Sequence, residues 1–151
     1  MRLARLWLTD FRSYASADIS FAPGLTALLG ANGEGKTNVM EAIGYLATLS
    51  SFRGAPNDAL VRAGASSAVI RAEGEREGRQ LLIEAELAST GRGRVQVNKQ
   101  KLARTRDLLG ALRVSVFSPD DLELVKGGPA QRRQYLDDAL VARRPAFDSL
   151  R

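Results

Sequence analysis

Within the eight residues Gly30-Ala31-Asn32-Gly33-Glu34-Gly35-Lys36-Thr37 stand the groups needed to hold a polyphosphate. Gly30, Gly33 and Gly35 allow backbone conformations closed to residues with a β-carbon, so successive amide hydrogens can converge on one phosphate. Lys36 would then neutralise the β- and γ-phosphates, and the Thr37 hydroxyl would bind a magnesium ion. The spacing matches G-x-x-x-x-G-K-[ST] in full, so ATP and Mg2+ are the expected ligands. The competing reading is a glycine-rich turn that happens to end in Gly35-Lys36-Thr37. Context separates the two, because phosphate binding requires a buried strand before the loop and an amphipathic helix after it.

Both are legible in the flanking residues. Strands are expected within residues 2–29: Leu3, Leu6 and Leu8 sit among polar neighbours, residues 14–21 alternate, and Pro23-Gly24 turns into Leu25-Thr26-Ala27-Leu28-Leu29. That last run is apolar on both faces, as a strand at a sheet centre would be. Val39, Met40, Ile43, Leu46, Ala47 and Leu49 then recur at helical spacing, which predicts a helix over 36–49 whose dipole adds a positive end at the loop. A short helix over 58–62 follows the turn-rich residues 50–57, and a β-meander is expected over 66–98. Gly91-Arg92-Gly93 has no strand-loop-helix context and reads as a hairpin turn. A short helix over 105–112, a core strand within 112–117 and helices over 119–151 complete the chain, with Ser118 capping a helix that starts at Pro119. The predicted fold is an α/β P-loop NTPase, with a central mixed sheet holding 25–29 and 114–117 and an antiparallel β-subdomain beside it.

Composition narrows the chemistry further. The 151 residues suffice for one domain, and the absence of cysteine and histidine removes disulfides, thiolate metal sites and Ser/His or Cys/His nucleophiles. Any divalent ion must be a hard one held by oxygen. No run approaches the roughly 18 apolar residues of a membrane span, and Thr9-Asp10 interrupts the amino-terminal apolar stretch, so a cytoplasmic location is expected. Lysine and arginine number 22 against 17 acids, a net charge of +5 that would favour a polyanionic partner.

Five ordered patches resemble one family. Leu8-Thr9-Asp10-Phe11-Arg12-Ser13-Tyr14, the loop continuing through Asn38 into Glu41-Ala42-Ile43, Ser51-Phe52-Arg53, Phe117-Ser118-Pro119-Asp120-Asp121-Leu122, and residues 127–137 are together similar to the amino-terminal part of the RecF family. These are bacterial recombination-mediator ATPases related to SMC and ABC-type heads. The resemblance implies lobe I of an ABC-type head that binds ATP and DNA, forms a homodimer with ATP, works with other recombination mediators in loading recombinase at gaps, and supports the SOS response. It also implies a second lobe and helical arm beyond this stretch, making the chain a truncated piece of a slow DNA-dependent ATPase. Arg12 and Ser13 are carried over as nucleotide contacts, although Arg12 also suits an exposed strand end. Asn38 either supports the loop or simply starts the helix. Ser118 and Asp120 are carried over as γ-phosphate sensors, or serve as an ordinary helix cap with an acid at the positive end. The second-motif acid, the water-orienting glutamate and the signature loop are not found, so no catalytic residue is assigned and ATP binding without turnover is expected.

Arg92, Arg94, Lys99, Lys101, Arg104 and Arg106 lie in a stretch without an acid. They are candidate contacts to the backbone of duplex or gapped DNA, or a solvated hairpin. Arg132 and Arg133 form a second basic pair. Aromatic residues are too scarce for a single-strand stacking platform. Two other functions remain open on these residues: a small-molecule P-loop kinase, which would also use Lys36 and Thr37, and a nucleotide-gated DNA-binding module without hydrolysis.

Overall fold

Alternation along the strands decides which side of the sheet faces inward. Strand β1 (Arg2–Phe11) buries Leu6, Leu8 and Phe11; β3 (Ser67–Arg76) buries Ala68, Ile70 and Ala72; β4 (Arg79–Ala88) buries Ile83, Ala85 and Leu87. The residues between them point to solvent, as the two-residue period requires. With β2 (Tyr14–Ser20), β5 (Arg94–Val97) and β6 (Gln100–Lys101), these strands form one six-stranded antiparallel sheet in the order β2-β1-β3-β4-β5-β6. A computed structural model provides this architecture and describes residues 1–109, 111–118 and 126–143.

Helix α1 (Lys36–Thr48) lays Val39, Ala42, Tyr45 and Leu46 on the inner face, and α2 (Asn57–Leu60) contributes Leu60. Helix α1 stops one residue before the expected end, because Leu49 takes a left-handed cap conformation and its amide donates to the Tyr45 carbonyl at 2.7 Å. The segment after α2 is stitched to the end of β1: Arg12 N donates to Leu60 O at 2.8 Å and Arg62 N to Asp10 O at 2.7 Å. The meander expected over 66–98 is realised as β3, β4 and β5. A single 3-10 turn, Thr105–Leu108, stands where a helix to residue 112 was expected. Helix α3 spans Pro129–Arg143; residues 119–125 and 144–151, including Asp120 and the expected helix start at Pro119, lie outside the described residues.

Two expected strands require correction. Residues 25–29 and 114–117 join no ladder among the described residues, whose sheet is antiparallel throughout. Leu25, Leu29 and Phe117 are 94%, 90% and 85% exposed. Leu28 and Val114 do pack against the core, but a strand also needs hydrogen-bonded neighbours, and the described residues provide none for these segments. Val116 does approach α1, lying 3.7 Å from where a β-carbon on Gly44 would stand. On α3, Tyr135, Leu136 and Leu140 share the predicted apolar face yet are half exposed or more, while Val141 is buried. No described helix is long and apolar enough to cross a membrane.

Gly74 shows how closely the sheet is fitted. It pairs with Leu3 beside an irregularity in the β1–β3 register, and a β-carbon there would stand 2.0 Å from the Arg2 carbonyl oxygen. Gly74→Ala is therefore expected to cost about 1–3 kcal/mol, seen as a lower urea midpoint with an unchanged slope.

Candidate nucleotide-binding site

The loop between residues 30 and 35 reaches α1 through two glycines in left-handed conformation, Gly33 (φ 89°) and Gly35 (φ 93°). Gly35 is required twice over. Besides its φ, a β-carbon would stand 2.9 Å from Ser13 Oγ and 3.0 Å from the Tyr14 ring, so the β1–β2 turn presses directly on the loop. The helix that follows has no side-chain cap and no acid in its first turn. Its leading amides and dipole therefore meet an anion without competition from a fixed carboxylate of their own.

Side chains complete the loop. Lys36 Nζ donates to the carbonyls of Gly30 at 2.7 Å and Ala31 at 2.6 Å, which brings its charge back over the loop. Glu34 Oε2 accepts from the Ala31 amide at 2.8 Å. The Tyr14 hydroxyl is 3.5 Å from the Glu34 carbonyl. Asn32 and Thr37 are exposed, and Thr37 stands in the first turn of α1. A magnesium ion bound through one protein oxygen plus phosphate oxygens fits such a donor set, because Mg2+ keeps several waters and needs few protein ligands. Among the described residues no three acids cluster as an all-protein site would require.

Ser13 and Asn38 are brought to the loop together: Asn38 Nδ2 donates to Ser13 Oγ at 3.0 Å. Arg12 is held by a carboxylate. Its Nε and Nη2 donate to the two carboxylate oxygens of Glu41 at 2.9 and 2.7 Å, and its Nη1 to the Ala59 carbonyl at 3.0 Å. It is not an exposed strand end, since its guanidinium is occupied by a bidentate carboxylate. Ser118 is half-buried at the end of the 114–118 segment. The structure thus gathers Ser13, Asn38 and residues 30–37, assigns Arg12 to a supporting position, and leaves Asp120 undescribed.

Glu41, Ser51 and Arg53 went without a role in the sequence and prove central. The Glu41 side chain has no solvent exposure, and besides Arg12 it accepts from Ser51 Oγ and lies 3.6 Å from Arg53 Nη1. Arg53, partly exposed, also reaches Asn38 Oδ1 at 3.5 Å, joining the network to the loop-side residues. The signal that could have found it is a glutamate amid the apolar run of α1: a carboxylate there must have cationic partners. Burial pushes the Glu41 carboxyl up, but the hydrogen bonds from Arg12 and Ser51 and the charges of Arg12 and Arg53 outweigh it and hold the group below its ordinary value.

Comparison with known proteins places this geometry in context. The family model described as "RecF/RecN/SMC N terminal domain" matches residues 2–123. A DNA replication and repair protein RecF from Nocardioides sp. (strain ATCC BAA-499 / JS614) is 53% identical over all 151 residues, which span 36% of that protein. One from Kineococcus radiotolerans is 48% identical, again over the whole chain and 39% of the relative. The chain therefore spans under half the length of these relatives. Among solved structures, the recombination mediator protein RecF-ATP of the RecFOR pathway superposes with a TM-score of 0.90 at 31% identity, covering 99% of this chain and 42% of that one. A structure from work on ATP-driven dimerization and DNA stimulated activation of SMC ATPases gives 0.72 at 28% identity, covering 91% and 98%. The fold is that of the P-loop ATPase heads of RecF and SMC proteins.

Because the folded-state value of Glu41 is depressed, its stabilising contribution is whole above its ordinary value of 4.5 and is lost as pH falls through the lower folded value. Glu41→Gln is expected to flatten the acid limb of a stability-versus-pH curve. At neutral pH it should cost about 3 kcal/mol, the lower end for a broken buried pair because Arg53 stays hydrated. Chemical denaturation across the acid range measures both.

Proposed function

This chain belongs to the RecF/RecN/SMC amino-terminal-domain family, and from that premise we propose that it is the ATP-binding lobe of a RecF-like DNA replication and repair protein. The observation that carries the reading is the junction at Gly35: a left-handed glycine, clamped by Ser13 and Tyr14, delivers the chain into an uncapped helix whose first residue is the lysine. Amides of residues 33–37 would take the phosphates, Lys36 would leave the Gly30 and Ala31 carbonyls for the β- and γ-phosphates, and Thr37 would hold the magnesium ion. When bound, that ion neutralises charge on the phosphate oxygens. Ser13 and Asn38 flank the nucleotide, while Arg12 acts through Glu41 as a positioning residue. Ser118 and Asp120 retain the proposed role of γ-phosphate sensors.

The printed names of the relatives support an assignment to DNA replication and repair, and the SMC structure supports ATP-driven dimerisation of two heads. In the whole protein, ATP would join two copies, bind DNA and support recombinase loading at gaps and the SOS response. The chain spans 36% of a relative that is 53% identical to it, and nucleotide binding is the role proposed for this stretch, with hydrolysis left to the whole protein. A small-molecule kinase is disfavoured, because a β-meander separates α1 from the 114–117 segment where a substrate lid would be expected.

Titrating a fluorescent ATP analogue with magnesium tests the assignment. Lys36→Ala should weaken binding about 10-fold to 100-fold, the worth of a charge-assisted hydrogen bond. Equal affinity of the two proteins would refute the loop assignment.

A further inference from the structure

The outward face of the sheet carries its charges in pairs. Arg5 bonds Asp18 through Nε at 2.7 Å and Nη2 at 2.6 Å, Arg71 is paired with Glu84, Arg2 lies 3.5 Å from Glu75, and Arg94 lies 2.8 Å from Glu86. Cross-strand register explains the order. One row runs Asp18, Trp7, Arg71, Glu84, Gln96, Lys101 across the strands; Asp18 is paired with Arg5 across Trp7 and Arg71 with Glu84, before the row reaches neutral Gln96. There the acids run out. Lys101 at the far edge faces a neutral side chain, and Arg92, Lys99, Lys101 and Arg104 form no ion pair among the described residues.

These cations are gathered by shape as well as by sequence. Arg92, Arg94, Lys101 and Arg104 line one open groove of about 770 Å3, in which Glu86 is the lone acid and is already paired with Arg94. Lys99 lines a second, of about 490 Å3, with Gln96 and the paired Arg71 and Glu84. The hairpin between them is anchored rather than free. Asn98 N donates to the Leu82 carbonyl at 2.8 Å, and Asn98 Oδ1 accepts from the Leu82 amide at 2.9 Å. Gly93 permits the close approach at the other end, since a β-carbon would stand 2.3 Å from the Glu86 carbonyl oxygen.

The turn itself carries an exception. Val97 pairs with Gln100, so Asn98 and Lys99 make a two-residue hairpin, and both are left-handed, with φ of 49° and 66°. Such turns favour Asn followed by Gly; here lysine occupies the glycine position at a conformational cost. The charge is therefore kept where folding alone would prefer no side chain.

We propose that this β5–β6 edge, through Arg92, Lys99, Lys101 and Arg104, is a surface that tracks the phosphate backbone of duplex DNA. The choice of DNA rests on the functional reading above; the location rests on charge complementarity alone. Contact is to phosphates rather than bases, because no aromatic side chain lines either groove and Trp7, on the same face, is already covered by the Arg5 guanidinium 4.9 Å from its ring centroid. The surface lies at the opposite edge of the sheet from β2, whose turn clamps the ATP loop. Five strand spacings, about 24 Å, separate those edges, so both ligands can be held at once.

The test is fluorescence anisotropy with a labelled duplex across a salt series, run with the same chain used for ATP titration. Four phosphate contacts give a slope of log K against log salt of about −3 to −4, and each single replacement by alanine reduces it by about one. The variant with all four replaced should lose the slope and still bind Mg-ATP as the parent does. Lys99→Gly separates binding from folding: it should melt at the same or a higher temperature and yet bind duplex more weakly. Unchanged duplex affinity and slope in the fourfold variant, with ATP binding intact, would overturn the surface and leave the nucleotide assignment standing. Tighter binding of single strands than of duplex, or loss of thermal stability in Lys99→Gly, would also overturn it. If Lys36→Ala proved to bind ATP normally while the salt slope behaved as described, the surface would survive without the loop assignment.

Discussion

A carboxylate with no access to water cannot stay ionised unless cations are held against it, and Glu41 imposes that condition on three parts of the chain at once. Arg12 comes from the β1–β2 turn, Arg53 and Ser51 from the segment after α1, and Glu41 from α1 itself. Arg12 is left-handed (φ 53°), a conformation that a long side chain rarely adopts, and its two hydrogen bonds to Glu41 and one to Ala59 offset the cost. The neighbouring Ser13 and Tyr14 inherit that fixed turn, and they are the groups that close on Gly35. The position of the phosphate loop thus follows from satisfying one buried charge thirty residues of sequence away from the turn that supplies its chief partner, Arg12 lying 29 positions before Glu41.

How much of this was legible depended on whether a residue's role is set locally. The loop was readable because the left-handed turns at Gly33 and Gly35 favour glycine locally, and the meander was readable because strand alternation needs only its own period. Strand β5, Arg94–Val97, lies within the stretch where that alternation placed the meander. Residues 25–29 and 114–117 were misplaced for the opposite reason: their pattern states what they would bury against, and the partner is not among the described residues. Charge behaved likewise. The run from Arg92 to Arg106 showed its sign, while only register revealed that Arg94 is neutralised by Glu86 and that Lys101 is not. Arg12 drew attention in the sequence, but nothing in a one-dimensional string says that Glu41 faces it.

The sheet divides the molecule into faces with different electrostatic character, and the division is a consequence of topology. Interior strands have neighbours on both sides, so Arg2 and Arg5 on β1 and Arg71 on β3 each have an acid within reach on the next strand, and such pairs hold the face near neutrality. An edge strand has one neighbour. Short β6 can therefore leave lysine unpaired without violating the pattern that governs the rest, and an unpaired cation at an edge also deters the strand from pairing with another chain. Solubility of the edge and attraction of an anion are two effects of the same residues, which is why the strained Lys99 is more informative than the exposed Lys101: only the former bears a cost that edge protection alone would not require.

The two halves of the phosphate loop are supported unequally, and that asymmetry bears on how a nucleotide would be received. The helix-side half is fixed from outside, by Ser13 and Tyr14 against Gly35 and by Asn38 against Ser13. The entering half follows the unladdered residues 25–29 and is held by the loop's own side chains, Lys36 on the Gly30 and Ala31 carbonyls and Glu34 on the Ala31 amide. The Lys36 ammonium has three N–H donors and spends two of them on those carbonyls, so a phosphate could take the third where it stands or draw the group away from the loop. If the lysine left the carbonyls, part of the binding free energy would be consumed in rearranging the entering half, and pairing of residues 25–29 into a sheet would reduce that cost by fixing the half in advance. A nucleotide that drew Lys36 away would thereby tie its affinity to the order of the entering half, while the half held by Ser13, Tyr14 and Asn38 stayed in place.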